Sequence, residues 1–167
     1  MYRSAASFDL ARGRTGPAAD RFAMAASAAD SAGQGEAARQ LRLRACETYI
    51  RANRPESALP LYDRLVKTGQ DEARVRHGRG RARLAVGELG GAEEDLRRLL
   101  ELELPVRIQA AAWTDLARIS LQKKDHQEAN FRLERALQLD PGFIDARRLK
   151  AGLGESRSGP GTPETRN

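Results

Sequence analysis

Apolar residues recur along this chain at spacings of three and four, the pattern of helices that each bury one face. Ala129, Leu133 and Ala136 share such a face, and 37 residues earlier Ala92, Leu96 and Leu99 repeat the spacing. Ala58, Tyr62 and Leu65 stand 34 residues before those, and Ala18, Phe22 and Ala25 a further 40 before. Five residues ahead of each leading alanine comes a residue suited to a turn or cap: Lys124, Gly87, Asn53 and Gly13. Gly and Asn tolerate the left-handed backbone that ends a helix, and Lys is the poor member of the set. Pro141, in Leu139-Asp140-Pro141-Gly142, and Pro105 close two of the segments, since proline cannot continue a helix interior. The pattern predicts a period near 34 residues with two helices in each, which is a repeat array.

On these residues the chain resembles the tetratricopeptide repeat (TPR) family. The segment 110–143 is a near-complete match, with Trp113, Leu116 and Ala117 on its first helix and Ala129, Leu133, Ala136 and the Leu-Asp-Pro closure on its second. The segment 39–72 carries Tyr49, Ala58, Tyr62 and Leu65, with Gln70 where the closing proline is usual. The segment 73–109 carries Gly80, Gly87, Ala92, Leu96 and Leu99 and a short insertion around Pro105, and 1–38 is a degenerate N-terminal TPR-like hairpin. The resemblance implies an all-α fold, a TPR-type right-handed superhelical array of helix-turn-helix repeats. Each hairpin exposes an apolar face that its neighbours must cover, and the small residues Ala58, Ala92 and Ala129 let helices approach closely. A capping helix is predicted over 144–153, turning Phe143 (just ahead of it), Ala146, Leu149 and Leu153 inward and Arg147, Arg148 and Lys150 outward. Residues 154–167 hold no apolar side chain and read as a disordered tail. The chain begins almost inside a helix without an N-cap signal, as a frayed end or a piece of a longer protein would.

Composition agrees with this reading. The chain is 40% hydrophobic but only 5% aromatic, and Ala and Leu lead the apolar set, which favours packed helices over sheets. No run of about 18 apolar residues is present for a membrane span. The N-terminus lacks the apolar core of a secretory signal, and Asp9 and Asp20 argue against a transit peptide, so a cytoplasmic protein is expected. The single cysteine, Cys46, allows no internal disulfide and reads as a small core residue. Net charge is +6, and of 29 basic residues only Lys67, Lys123, Lys124 and Lys150 are lysine. Either a GC-rich, bacterial genome favouring arginine codons or an acidic partner explains that excess.

Catalysis finds no support in the residues. His77 and His126 fall in different repeats, and two histidines with one cysteine cannot build a structural zinc site. The Gly-rich run Gly78 to Gly91 follows no strand, so it is not a phosphate loop, and Glu93, Glu94 and Asp95 read as a solvated helix face. The expectation is a non-enzymatic scaffold or adaptor without catalytic, cofactor or metal residues.

TPR arrays bind peptide segments in a concave groove lined by their first helices. The resemblance places in that groove Arg44, Glu47 and Arg51, then Arg74, His77 and Arg81, then Asp115, Arg118 and Gln122. Five of these are arginines, whose guanidinium forks suit bidentate binding of carboxylates, so an acidic peptide or protein segment is the expected ligand. The family's clamp for chaperone C-terminal tails is not matched, since its positions fall on Leu43, Glu47, Gly78, Ala111 and Asp115.

Two further readings stand beside this one. Residues 73–87 hold five arginines, a basic stripe that suits electrostatic nucleic-acid binding. It has no interleaved aromatics, and eight Arg against six Asp and Glu over 73–109 leave only +2. Self-association through the N-terminal hairpin is the other. Within the stripe, Arg76, Arg79 and Arg83 occupy places that usually pack on a neighbouring helix, and Gly78 and Gly80 each weaken a helix by about 1 kcal/mol relative to Ala. A register shifted by one (burying Val75, Gly78 and Ala82), arginine stems laid along the interface with wet heads, or a loose helix that orders on a partner would each account for it.

Overall fold

The structure, a computed structural model, describes residues 2–69 and 72–157, with side chains as far as Gly154. Gln70 and the end of the predicted tail, 158–167, lie outside the described residues. Among the described residues there are nine α-helices, in two compact units. The first unit, residues 1–99, holds three hairpins: α1 (Tyr2–Ala11) with α2 (Thr15–Ser31), α3 (Gly35–Arg51) with α4 (Pro55–Lys67), and α5 (Ala73–Ala85) with α6 (Leu89–Leu100). The second, from residue 100 on, holds the hairpin of α7 (Val106–Gln122) and α8 (His126–Leu139), followed by α9 (Ile144–Arg157). None of these helices is long and apolar enough to cross a membrane.

The helix ends follow from the turn residues. Gly13, Asn53, Gly87 and Lys124 all have positive φ, between 55° and 84°. Each turns the chain from the first helix of a hairpin into the second. Lys124 holds this left-handed conformation at φ 61° despite its Cβ, so that turn stores backbone strain a glycine would not. Starts are signalled too. Pro55 sits in the first turn of α4, where a missing N–H goes unnoticed, and the Asp125 carboxylate accepts the Glu128 backbone N–H at 3.0 Å, capping α8. Two starts come earlier than the repeat spacing implied, at Gly35 for α3 and Val106 for α7, and α9 runs on to Arg157 rather than ending at 153.

The periodic apolar residues form the cores. Ala58, Ala92 and Ala129 are fully buried, as are Leu65, Leu96, Leu99 and Leu133, while Ala18, Phe22 and Tyr62 are at most 1% exposed. In the first unit Phe22, Cys46, Tyr62, Leu65 and Val75 join in one cluster; in the second, Ala110, Ala117, Leu133, Ala146 and Leu153 do so with Trp113 and Phe143 packed against them. Burial pushes the Cys46 thiol and the Tyr62 phenol well above their ordinary values.

Charged side chains are built into the interior beside these apolar clusters. Asp95 is 1% exposed; it accepts two bonds from Arg79, at 2.6 and 2.9 Å, and one from Arg83 at 2.9 Å. Asp63 of α4 receives Arg79 at 3.2 Å, so one arginine spans α4, α5 and α6. Arg83 also donates to the Gly91 carbonyl at 3.3 Å. The hydrogen bonds from Asp95 raise the Arg79 pKa above its ordinary value, against the opposing effect of burial. A buried ion pair needs further hydrogen bonds to offset its desolvation, and here both Asp95 oxygens accept while Asp63 and the Gly91 carbonyl take other guanidinium protons. Asp30 likewise takes Arg42 and Arg64, whereas buried Asp9 lies 2.7 Å from Arg14 and 2.6 Å from Arg21 as an ion pair whose carboxylate oxygens receive no well-aligned hydrogen bond.

Val75 and Ala82 are buried and Gly78 packs on Tyr62, as the register shifted by one expects. Arg79 and Arg83 point inward as charge-paired struts, with side chains 12% and 20% exposed, which corrects the expectation of solvated heads. Asp95 is a buried anchor and not part of a solvated face. Gly78 is also explained: a Cβ there would lie 2.2 Å from the Tyr62 hydroxyl oxygen and 2.5 Å from its Cζ, so the glycine makes room for the tyrosine.

Candidate functional site

In the first unit, the first helices α1, α3 and α5 frame a concave surface made of two adjoining cavities. One, of about 510 Å³, is lined by Ser7, Leu10 and Ala11 of α1, Phe22 of α2, Arg44, Glu47, Thr48 and Arg51 of α3, and Arg74 of α5. The other, of about 520 Å³, shares Arg44 and Arg74 and adds Arg3, Glu36, Arg39, Gln40, Leu43 and Glu72 among others. Both volumes lie in the range of ordinary ligand sites.

Four of the predicted groove residues, Arg44, Glu47, Arg51 and Arg74, meet in the first cavity. Their charges are not equally available. Arg74 grips Glu47 bidentately, Nε to Oε1 at 2.6 Å and Nη2 to Oε2 at 2.9 Å, which neutralises both. Arg44 lies over the Phe22 ring, 5.7 Å from its centroid, a cation–π contact that leaves its donors open. Arg44 and Arg51 are both exposed, and neither makes an ion pair among the described residues. Three arginines against one glutamate leave this cavity at +2. The cavity's hydroxyls are already used: Thr48 donates to the Arg44 carbonyl at 2.7 Å and Ser7 to the Arg3 carbonyl at 3.1 Å. The available chemistry is therefore two open guanidinium groups beside a small apolar wall of Leu10 and Ala11, with the Phe22 ring buried behind it. Among the described residues, no three His, Cys, Asp or Glu side chains gather where they could hold a metal ion.

The remaining predicted residues lie elsewhere. Arg81 is exposed and His77 half-buried on α5, and both have partners. In the second unit, Gln122 is exposed at the end of α7, but Asp115 is 3% exposed and holds Arg118, which also reaches Asp145 of α9 at 3.5 Å. Asp115 thus supports its neighbour and offers no open carboxylate, a correction to its expected place in the groove. The five-arginine stripe of 73–87 does not stay together: Arg76 is buried and Arg79 and Arg83 are turned onto Asp95, while Arg81 and Arg74 stay exposed, Arg74 paired with Glu47.

The α1 contribution was missed by the sequence reading, although the signal was present. Carrying the 40-residue spacing of Ala18 and Ala58 back from Glu47 and Arg51 lands on Ser7 and Ala11, both in the cavity wall.

No family model matches this sequence, and no curated protein matches it. Solved structures do. The chain superposes on MamA with a TM-score of 0.72 at 19% identity, covering 92% of this chain and 84% of that one. The fold is that of the tetratricopeptide repeat. YrrB, described as a TPR protein with an unusual peptide-binding site, matches at TM-score 0.71 and 19% identity over 90% of this chain and 73% of its own. TTC0263, a thermophilic TPR protein of Thermus thermophilus, matches at 0.64 and 20% over 90% of this chain and 78% of its own. At these identities the likeness establishes the TPR fold. The helical hairpins of both units are of this kind.

Proposed function

We propose that this chain is a non-enzymatic TPR scaffold that holds an acidic peptide or protein segment in the trough between α1 and α3. The observation that carries this reading is that Arg44 and Arg51 stay open on the wall of a concave site. Most other arginines of the first unit are tied to a carboxylate, among them Arg14, Arg21, Arg39, Arg42, Arg54, Arg64, Arg74, Arg79 and Arg83. Arg42, Arg79 and Arg83 are largely buried struts, and Arg14, Arg21, Arg54, Arg64 and Arg74 pair at the surface. Arg3 and Arg12 also make no ion pair among the described residues, and what sets Arg44 and Arg51 apart is that both stand on the wall of the first cavity. Concave low-dielectric walls focus their potential, and guanidinium forks hold carboxylates bidentately. The inward turn of Arg79 and Arg83 and the burial of Arg76 weaken the nucleic-acid alternative, because only Arg74 and Arg81 of the stripe stay exposed.

A peptide array graded in acidic and apolar content tests the reading. Wild type is expected to favour acidic segments carrying an apolar residue, with binding weakened by added salt. The Arg44→Glu, Arg51→Glu double variant is expected to lose that preference. Equal binding of acidic and neutral segments, or full retention by the double variant, would refute it.

A further inference from the structure

The ligand chemistry that this trough suits occurs in the chain itself. Between the end of α6 and the start of α7 runs Leu100-Glu101-Leu102-Glu103-Leu104-Pro105. Residues 101–105 are outside regular helix, and all but Leu104 are exposed; Leu102 is 42% exposed. Glu101 and Glu103 make no ion pair among the described residues, whereas most carboxylates of this chain do. They are therefore two carboxylates close in sequence that no cation holds.

The segment is organised for docking. A residue before proline is driven into extended backbone, and Leu104 precedes Pro105. The Leu104 carbonyl is fixed by the Gln109 side-chain amide at 2.8 Å. Glu101 lies in the turn that follows α6 and Leu102 at a bend, so the segment carries Glu101, Leu102 and Glu103 at the surface while its end is held at Leu104. The trough presents the complement, with open cations on α3 and a small apolar floor from Leu10 and Ala11. Arg44 and Arg51 lie two helical turns apart, about 10.5 Å along the axis, and their long stems let the two guanidinium groups converge on carboxylates two residues apart.

Resting on the trough reading above, we infer that its occupant is the Leu100–Pro105 segment of a second copy of this chain, with Glu101 and Glu103 held by Arg44 and Arg51 and Leu102 set on the apolar floor. A segment tethered between two helices and held at the Leu104 carbonyl loses less freedom on docking than a free tail would, which favours reversible association.

Sedimentation equilibrium of the full chain over a concentration series tests this. Wild type is expected to self-associate with a Kd on the order of 10 μM, weakening as salt is added. Arg44→Glu with Arg51→Glu, and separately Glu101→Lys with Glu103→Lys, are each expected to raise that Kd by about tenfold or more. Mixing the two double variants is expected to restore association, because one supplies acidic trough positions and the other a basic segment; restoration also shows that both fold. A wild type that stays monomeric overturns the proposal. So does association that survives Glu101→Lys with Glu103→Lys, which moves the interface to the exposed Tyr2, Phe8 and Met24 of the first hairpin. A labelled Leu100–Pro105 peptide separates this proposal from the reading beneath it. Peptide bound by monomeric wild type and lost in Arg44→Glu, Arg51→Glu keeps the trough and removes the self-docking; peptide still bound by that variant overturns both.

Discussion

Replacing Gly78 with alanine sets two effects of opposite sign against each other. Gly78 lies inside α5, and Ala in place of Gly at an ordinary helix position stabilises by about 1 kcal/mol. Here the added methyl would meet Tyr62 at 2.2 Å (hydroxyl oxygen), 2.5 Å (Cζ) and 2.8 Å (Cε1). Tyr62 is 1% exposed and packed within the first unit's core, so the ring has no open space to enter. Forcing a methyl into such a site costs roughly 1–3 kcal/mol, and an overlap with two ring carbons and the hydroxyl oxygen belongs at or above the upper end. We expect Gly78→Ala to destabilise by about 2 kcal/mol net, a loss of roughly 4–8 °C in Tm for a chain of this size. Urea unfolding followed by far-UV circular dichroism reads it, with Gly90→Ala as control. A Cβ at Gly90 meets nothing within 4 Å, so that variant should be neutral or slightly more stable. The decisive comparison repeats Gly78→Ala in a Tyr62→Leu background, where the obstructing ring is gone and alanine should be neutral or stabilising. If Gly78→Ala stabilises the wild-type protein by its propensity gain, the packing argument is wrong.

Asp95→Asn withdraws the charge that Arg79 and Arg83 share and leaves both guanidinium groups mostly buried with only Asp63 and Glu88 nearby; it should cost about 3 kcal/mol in urea unfolding, and a loss within error of zero would show the network to be incidental. Cys46 is fully buried and its thiol is pushed up by desolvation, so a thiol reagent should leave the native protein unmodified and react only once urea unfolds it; rapid native labelling would contradict that burial. The Tyr49 phenol is raised from 10.0 to about 12 by burial and by donating to Asp20 at 2.8 Å. Because the folded value lies above the unfolded one, its contribution is fully present below pH 10 and is lost as pH rises toward about 12. The stability gap between wild type and Tyr49→Phe should therefore shrink over that interval, and a gap that holds or widens would rule this out.

The residues that fold this chain locally were readable in order. Gly13, Asn53, Gly87 and Lys124 announced the hairpin turns, and all four adopt positive φ. Ala18, Ala58, Ala92 and Ala129 marked the helix crossings, and all four are fully buried. These features are legible because a period of 3.6 residues and a turn residue's backbone preference are short-range properties that recur with each hairpin. The fate of the charges was not legible. Arg79 looked like part of a surface stripe until α4 and α6 brought it Asp63 and Asp95, each 16 residues away. Arg74 looked like a free groove cation until Glu47 closed on it from α3, and Gly78 looked like a weak point until Tyr62 filled the space above it. Sequence alone could establish where apolar faces lie, since burial follows the helix period. Which guanidinium meets a carboxylate and which stays open depends on side chains that only tertiary packing brings together. That packing left Arg44 and Arg51 open.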